Sequence, residues 1–355
     1  MRVSVLVSFH NHERFVRRVA ESALAQDFDD YEVVCVDDAS TDGSFRVLQQ
    51  TIAEYCGFRG RRVVCLRNES NLGIVGTFNR LMSESSGELC VVHCGDDIAH
   101  PNRVSEIVRC WDEAVRDHPN VVAAMTRCRL VDGDFHVMSP DVLDGPCGWR
   151  VVSGDSVWNC GFTFHGAAAV YSRAALYDRF GMMDPAAKFE DGLMFFRMVL
   201  SGDLLLINKR LFDYRSVEGA STTYHANLQA MANAAVRDVN TIRQQLRDLT
   251  SAEQTADVRD RERFGKYREA LDCWLHWQKL FVSLMIGRGA ERRMAIREVI
   301  CASSSDRSMR RILVFVLPRP IVRLIVWLRG TWGNLRWRSR ICRLEGHLDF
   351  SGGAA

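Results

Sequence analysis

Apolar and polar positions along the first hundred residues predict strands and helices in alternation. Four apolar runs have the length and β-branched content of buried strands: residues 3–9, 32–36, 62–66 and 88–92. Three stretches between them repeat apolar residues at helical spacing: residues 13–25, 45–55 and 76–84. Strands that alternate with helices predict an α/β fold with a mostly parallel sheet, whose functional loops lie at one edge.

Two adjacent carboxylates, Asp96 and Asp97, follow the fourth predicted strand. Two like charges at the edge of a low-dielectric sheet are costly, so a cation is expected to offset them. Ligands of open α/β sheets bind at this edge, and a divalent cation that carries a diphosphate suits the position. Alternatively, Asp97 caps the helix predicted from Asn102. These residues alone leave both interpretations open.

Five motifs occur in order over about the first 215 residues: Val-Ser-Val-Leu-Val-Ser-Phe-His-Asn (3–11), Val-Asp-Asp-Ala-Ser-Thr-Asp-Gly-Ser (36–44), Asn71-Leu72-Gly73, Gly95-Asp96-Asp97 with Pro101 and Arg103, and Phe189-Glu190-Asp191. Together they closely resemble the family 2 glycosyltransferases of the GT-A fold. Each motif alone is a weak signal, but five in the correct order make chance agreement improbable. The resemblance implies a Rossmann-like sheet flanked by helices and sugar transfer from a nucleotide donor.

The resemblance also implies which residues bind the nucleotide sugar. Ser8 and Asp38 would contact the base, with Asp38 accepting from the ring N3–H of uracil. Asp96 would lie near the ribose, and Arg103 belongs to the same donor-binding set. Turn capping is the alternative for Asp37 and Asp38, and an ordinary surface position is the alternative for Arg103.

A metal cofactor follows from the same resemblance. Asp97 would be the direct ligand of Mn²⁺ or Mg²⁺, and Asp96 would be the second metal-binding carboxylate. Such an ion would neutralise the diphosphate and assist its departure as a Lewis acid.

A second acidic pair, Glu190 and Asp191, lies at the start of a stretch with helical spacing. A carboxylate there compensates the positive end of the helix dipole, which is the simplest interpretation. By resemblance, Asp191 is the catalytic base that removes the proton from the acceptor hydroxyl, giving inversion in a single displacement. Glu190 would support it or position the acceptor, and is the second choice for the base.

The sequence says less about the region between the two acidic pairs, which we expect to bind the acceptor. Aromatic residues near glycines could form a sugar-stacking platform or could belong to the core: Trp149, Trp158, Phe162, Phe164 and His165. The family commonly ends its catalytic domain with Tyr-Arg followed by a His and a Ser. This chain has Tyr214-Arg215 and Ser221, but Val217 stands where the His is often found. That departure leaves the last metal or diphosphate contact open.

Composition is that of an intracellular enzyme. The 355 residues are 47% hydrophobic and 25% charged, and the 12 cysteines include no Cys-x-x-Cys pair. Scattered cysteines indicate reduced, buried thiols and neither a disulfide framework nor a zinc site. No secretory leader is evident at the start, so we expect a cytoplasmic protein.

The chain changes character after residue 225. Residues 1–225 form the predicted catalytic domain, residues 226–305 a helical extension, and residues 306–355 a basic amphipathic tail. Residues 307–343 contain ten arginines, three tryptophans and no acidic residue. This composition predicts a peripheral contact with an anionic membrane surface, since no run approaches the roughly 20 apolar residues of a span. A helix pair docked on the catalytic domain is the alternative, and a nucleic-acid patch lacks any recognition motif.

The sequence therefore predicts an inverting, metal-dependent glycosyltransferase with a nucleotide-diphosphate donor, UDP first. Its acceptor would be a glycan, and a lipid-linked oligosaccharide of surface polysaccharide biosynthesis is the leading candidate. The protein would act at the cytoplasmic face of the membrane. The alternative is a non-catalytic GT-A module that binds a nucleotide or glycan as a scaffold. The presence of Asp38, Asp97 and Asp191 together favours the enzyme.

Overall fold

The computed structural model describes residues 2–55, 61–138, 148–159, 166–216 and 228–286. Within these ranges nine strands form one mixed sheet. The strands are β1 (Val3–Phe9), β2 (Tyr31–Asp37), β3 (Val63–Arg67), β4 (Leu89–Cys94), β5 (Ile98–Ala99), β6 (Val121–Val131), β7 (Trp149–Val152), β8 (Ala169–Ser172) and β9 (Asp203–Arg215).

One half of the sheet is parallel and the other is mixed. The strand order is β3-β2-β1-β4-β8-β6-β9-β5, and β7 also pairs with β9. Strands β1 to β4 are mutually parallel where they pair, whereas β8 runs antiparallel to both β4 and β6. Strands β6 and β9 are parallel to each other. The α/β prediction is confirmed.

Helices cover both faces of the sheet. They are α1 (Glu13–Leu24), α2 (Ser44–Glu54), α3 (Gly73–Glu84), α4 (Arg103–Asp117), α5 (Gly154–Asn159), α6 (Glu190–Ser201), α7 (Leu228–Glu253) and α8 (Val258–Ile286). One core lies between the sheet and helices α1, α2 and α4, which we call the α4 face. The other lies between the sheet and helices α3 and α6, which we call the α6 face. Strands β1 and β2 are almost wholly buried because both faces are covered, as continuous apolar runs predict.

The predicted helical extension is helical where the structure describes it, in α7 and α8. The chain divides into two compact units, and residues Arg237–Leu275 belong to the unit that contains the sheet. The domain boundary at residue 225 stays a prediction, and the basic tail lies outside the described residues. Among the helices that the structure describes, none combines the length and apolar character that a membrane span requires.

Candidate active site

The turn after β4 carries Asp96 and Asp97 at the carboxyl edge of the sheet. Gly95 allows this turn to approach β1, because a Cβ at that position would lie 2.3 Å from the carbonyl oxygen of Ser8. Asp97 is fully buried, whereas the side chain of Asp96 is 25% exposed. The pair therefore consists of one buried and one accessible carboxylate.

The buried carboxylate has one unsatisfied oxygen. Oδ1 of Asp97 accepts a hydrogen bond from the main-chain N–H of Arg215 at 3.0 Å, but Oδ2 has no hydrogen-bond partner among the described residues. Burial, and then the charge of Asp96, raises the pKa of Asp97 well above its usual range. Helix α4 begins at Arg103 after the cap residue Asn102, so the interpretation of Asp97 as its cap is wrong.

Arg215, at the end of β9, contacts both members of this pair. Its Nη2 donates to Oδ2 of Asp96 at 2.7 Å, and its guanidinium carbon lies 4.4 Å from the ring centroid of Phe15. The sequence marked Tyr214-Arg215 only as the end of the catalytic domain. The available signal was its position directly after the apolar run of β9, because strand ends at this edge meet at the site.

Arg103 lies inside the protein and not on the surface, so the surface interpretation is wrong. Its Nη2 donates to the main-chain carbonyls of Val92 at 3.0 Å and Ala167 at 2.6 Å, and its Nη1 donates to Nδ1 of His93 at 3.0 Å. Burial lowers the pKa of Arg103 to about 10, so the group stays charged at neutral pH near Asp97. At 1% exposure, the side chain offers almost no surface to a donor in this conformation.

Asp38 holds the start of α3. Its Oδ1 accepts from the side-chain amide of Asn68 and the N–H of Leu72, both at 2.7 Å, and its Oδ2 accepts from the N–H of Gly73 at 2.9 Å. Gly73 has φ +72, a left-handed conformation that favours glycine. A carboxylate offers about four acceptor positions, so one remains beside these three bonds. Asp38 therefore does cap a helix, and its contact with a base stays a prediction.

Ser8 and Asp37 lie at the carboxyl ends of β1 and β2. Ser8 is half-buried between its register partners Val36 and Cys94. Asp37 is fully buried and accepts from the N–H of Ser40 at 3.0 Å and from its hydroxyl at 2.5 Å. The turn-capping interpretation of Asp37 is thus confirmed, while the base contact of Ser8 stays a prediction.

The second acidic pair occupies the first turn of α6. Oε1 of Glu190 would lie 3.0 Å from a Cβ at Gly166, so Glu190 packs against the turn before β8. Oδ1 of Asp191 accepts from the N–H of Gly192 at 2.6 Å. Burial, and then the charge of Asp191, raises the pKa of Glu190 to about 8. Burial also raises the pKa of Asp191, although nearby Lys188 acts in the opposite direction.

Members of both acidic pairs act on the thiol of Cys94 at the end of β4. Burial raises the pKa of the Cys94 thiol, and three carboxylates act in the same direction: Asp97, Asp96 and Glu190. One neighbourhood therefore contains both a candidate cation site and a candidate base.

Helix α7 anchors the segment before the second acidic pair. Nζ of Lys188 lies 3.2 Å from Oδ1 of Asp238, and the N–H of Lys188 donates to Oγ1 of Thr241 at 2.9 Å. The side-chain amide of Gln245 donates to the carbonyl of Gly192 at 3.4 Å. These contacts, which the sequence did not reveal, tie the helical extension to the candidate base.

The described aromatic residues of the acceptor region are half-buried and pack against the core. Nε1 of Trp149 donates to Glu113 at 2.9 Å, and the ring of Trp158 lies 4.8 Å from that of Tyr267 and 5.5 Å from that of Phe196. The packing interpretation is confirmed for both tryptophans. The other residues of that region lie outside the described ranges: Phe162, Phe164, His165, Val217 and Ser221.

The residues present fit a cation that arrives with a phosphate ligand. Within the described ranges, no group of three or more His, Cys, Asp and Glu side chains is arranged as a metal site. Mg²⁺-type ions are commonly held by one or two carboxylates and completed by substrate phosphates and water. The unsatisfied Oδ2 of Asp97 beside Asp96 meets that requirement.

Comparison with known proteins gives a family and a fold. Residues 4–178 match the model of glycosyl transferase family 2. EpsE of Bacillus subtilis, a provisionally named glycosyltransferase, is 32% identical over 107 residues, which are 30% of this chain and 37% of EpsE. An uncharacterised glycosyltransferase of Nostoc is 30% identical over 146 residues, 41% of this chain and 42% of that protein. The matches span about two fifths of each relative.

A solved structure matches a larger part of the chain than the family model does. The crystal structure of Staphylococcus aureus TarS residues 1–349 with UDP-GlcNAc has a TM-score of 0.50 at 17% identity, covering 80% of this chain and 87% of that one. At this identity the likeness shows a shared fold alone. The fold is GT-A.

Proposed function

The chain belongs to glycosyl transferase family 2, and from that membership we propose that it is an inverting, metal-dependent transferase with a nucleotide-diphosphate donor, UDP first. The observation that carries the metal-dependent part is the buried Asp97, whose Oδ2 has no partner in the described ranges, beside the accessible Asp96. An unpaired buried carboxylate oxygen is costly, and a divalent cation offsets that cost.

The chain's own residues prepare the donor site. Asp97 and Asp96 hold Mn²⁺ or Mg²⁺, which when bound supplies charge neutralisation for the departing diphosphate. The guanidinium of Arg103 donates hydrogen bonds to Val92 and His93 near the end of β4. We therefore assign Arg103 a positioning role and no direct contact with the donor. Ser8 and Asp38 contact the base, Asp38 through its remaining acceptor position.

The two carboxyl groups of the second acidic pair have different roles: Glu190 is a hydrogen-bond donor and Asp191 is the base. A group with a pKa of about 8 is mostly protonated at neutral pH, so Glu190 donates a hydrogen bond. Asp191 takes the proton from the acceptor hydroxyl as that oxygen bonds to the anomeric carbon and the bond to the diphosphate breaks. Attack from the face opposite the leaving group inverts the configuration.

The acceptor is a glycan, with a lipid-linked oligosaccharide in surface polysaccharide biosynthesis as the leading case. The ten arginines and three tryptophans of residues 307–343 support a peripheral location on the cytoplasmic face of a membrane, because that surface attracts basic and interfacial side chains. The catalytic domain, helical extension and tail keep the predicted boundaries 1–225, 226–305 and 306–355.

A screen of nucleotide sugars for hydrolysis, with Mn²⁺ and with chelator, tests the proposal. We expect at least one UDP-sugar to be hydrolysed with Mn²⁺ and not with chelator. Nucleotide binding without turnover of any sugar in the screen would instead favour the scaffold alternative. Turnover that persists in chelator would remove the metal from the proposal.

A further inference from the structure

Asp213, two positions before the end of β9, is a buried carboxylate with three side-chain hydrogen bonds. Nε and Nη2 of Arg129 on β6 donate to its Oδ1 and Oδ2, both at 2.8 Å. Nε2 of His100 donates to Oδ1 at 2.9 Å. A bidentate arginine contact fixes the orientation of a carboxylate as well as its charge. Asp213 therefore joins β9 to two elements that are far from it in the sequence.

The contact with His100 fastens a short strand to β9. Strand β5 (Ile98–Ala99) has only two residues and directly follows Asp97. Its first residue is the register partner of Asp213, and the N–H of His100 donates to the carbonyl of Leu211 at 3.0 Å. A pair of strands this short makes few ladder bonds. The side-chain bond from His100 to Asp213 is therefore an important part of what holds the Asp97 turn against β9.

The contact with Arg129 fixes the end of β9. The pairing of β6 with β9 has no register shift from this ion pair to the end of β9. Asp213 and Arg215, two positions apart, both point to the α4 face, where the guanidinium of Arg215 lies 4.4 Å from the ring centroid of Phe15. The ion pair of Asp213 thus fixes the strand end from which Arg215 reaches Asp96.

We propose that Asp213 is a positioning residue of the donor site. Through His100 it holds the turn that carries Asp97. Through the end of β9 it holds Arg215, whose main-chain N–H and guanidinium meet Asp97 and Asp96. The inference rests on the proposed transferase function and adds to it the residue that keeps the cation site and Arg215 together.

The charge of Asp213 is essential to this role. Burial acts to raise the pKa of Asp213, but the hydrogen bonds from His100 and Arg129 outweigh it and lower the pKa to about 2. The carboxylate is therefore ionised at neutral pH, and its contacts are charge-assisted. Asparagine has nearly the same shape, but its amide nitrogen would face a donor of Arg129. Asp213→Asn therefore loosens the contact with little change in volume.

Calorimetry of UDP binding with Mn²⁺ to full-chain variants tests the inference. Asp213→Asn should lower the UDP affinity about 5- to 30-fold, because Arg215 loses part of a charge-assisted contact with the diphosphate. Arg215→Met should lower it as well. Since Asp213 acts partly through Arg215, the double variant should lose less affinity than the product of the two single losses.

Glu32→Gln is the matched control. Glu32 is also a buried carboxylate that accepts from an arginine, Arg62, and from the hydroxyl of Ser4. It lies near the start of β2, at the opposite end of that strand from Asp37. Loss of a buried charge should destabilise both variants, whereas only Asp213→Asn should change the UDP affinity. This comparison separates positioning of the site from support of the fold.

Denaturant unfolding without nucleotide or metal gives a second readout. Asp213→Asn and Arg215→Met together should cost less stability than the sum of their separate costs, because the contacts of Arg215 depend on Asp213. The costs of Glu32→Gln and Arg215→Met should add. Should Asp213→Asn fail to fold, Arg129→Lys replaces it in both measurements, since lysine keeps the charge and loses the bidentate contact.

Three results overturn the inference: wild-type UDP affinity in folded Asp213→Asn, an equal loss of affinity in Glu32→Gln, or full additivity of Asp213→Asn and Arg215→Met in unfolding. Failure of the wild type to bind UDP with Mn²⁺ removes the proposed function instead. The unfolding measurements then decide by themselves whether Asp213 positions Arg215.

Discussion

The guanidinium of Arg215 lies 2.7 Å from Oδ2 of Asp96, at the carboxylate that a divalent cation would also use. The same residue donates its main-chain N–H to Asp97 at 3.0 Å. A cation that binds Asp96 must therefore compete with this ion pair or displace it. Donor binding would favour the displacement, because the diphosphate offers Arg215 a new anionic partner.

Arg215→Met should raise the affinity for Mn²⁺ in the absence of nucleotide about 5- to 30-fold, since it removes a competing cation worth roughly 1–2 kcal/mol. Methionine retains apolar contact with the ring of Phe15. A Mn²⁺ titration followed by electron paramagnetic resonance measures the change. Arg62→Met, which removes a partner of the buried Glu32, is the matched control. Unchanged affinity in Arg215→Met would show that Asp96 is not a metal ligand.

Asp97→Asn should abolish the difference between UDP binding with Mn²⁺ and with chelator. The same change should stabilise the protein in chelator at pH 8 by about 1–3 kcal/mol, because a neutral amide is less costly to bury than an ionised carboxylate. Since the folded-state pKa of Asp97 is raised, wild-type stability in chelator falls as pH rises from near 4 through that value, and the Asn variant lacks this loss.

Calorimetry and denaturant unfolding at pH 5 and pH 8 measure the two effects of Asp97→Asn. Asp29→Asn, at a carboxylate whose side chain is 93% exposed, is the control for charge removal. Metal-dependent UDP binding that survives in Asp97→Asn would contradict the metal assignment.

Asp191→Asn should lower turnover by about 10²- to 10⁴-fold, the usual loss for a general base, while UDP still binds. Glu190→Gln should cost less, since glutamine can also donate a hydrogen bond. Wild-type turnover should fall as pH rises above about 8, where Glu190 loses its proton, and this alkaline limb should vanish in Glu190→Gln. Near-normal turnover of Asp191→Asn would transfer the base role to Glu190.

Helix α6, which carries the candidate base, is joined to α7 by a buried ion pair. Nε of Arg197 lies 2.8 Å from Oδ2 of Asp248, with the two side chains 0% and 3% exposed. Gln244 donates to the other oxygen of Asp248 at 2.7 Å. Removing one partner of such a pair leaves an uncompensated buried charge.

Asp248→Ala should therefore destabilise the protein by about 3–5 kcal/mol. A chain that ends at residue 225 should lose at least as much stability, because it leaves Arg197 buried without its carboxylate. Denaturant unfolding and circular dichroism of the two proteins measure this. Asp272→Ala, an exposed position on α8, is the control for Asp248→Ala. A folded chain of residues 1–225 would show that the predicted boundary is a true domain boundary.

The parallel half of the sheet was predictable because its signals are local. Residues 3–9 match β1 (Val3–Phe9) at both ends, and the helix predicted over 13–25 ends one residue earlier, at Leu24. Helix α3 begins three residues before its predicted start. Its first turn depends on Gly73 and on a cap supplied by Asp38, which lies 35 residues earlier in the chain.

The mixed half of the sheet and the surroundings of the site residues could not be predicted, because they depend on contacts between distant parts of the chain. Strand β8 inserts antiparallel between β4 and β6, a pairing that no local pattern encodes. The sequence left a surface position open for Arg103, yet its guanidinium donates to the main-chain carbonyl of Ala167, which lies 64 residues away. The motifs identified the acidic pairs, but the residues that position them could only be found from the fold.

The basic tail gives the last prediction, because lipid contact and docking on the catalytic domain have opposite consequences. A chain that ends after α8, at Ile286, keeps residues Arg237–Leu275, which belong to the same compact unit as the sheet. If residues 307–343 bind lipid, this chain should stay folded, still hydrolyse donor, and lose activity on a lipid-borne acceptor.

The full chain should sediment with anionic vesicles and be released as salt rises, because screening weakens the attraction of ten arginines. Neutral vesicles are the control. Unfolding of the shortened chain, or a full chain that ignores anionic vesicles, would assign the tail to the core and end the membrane proposal.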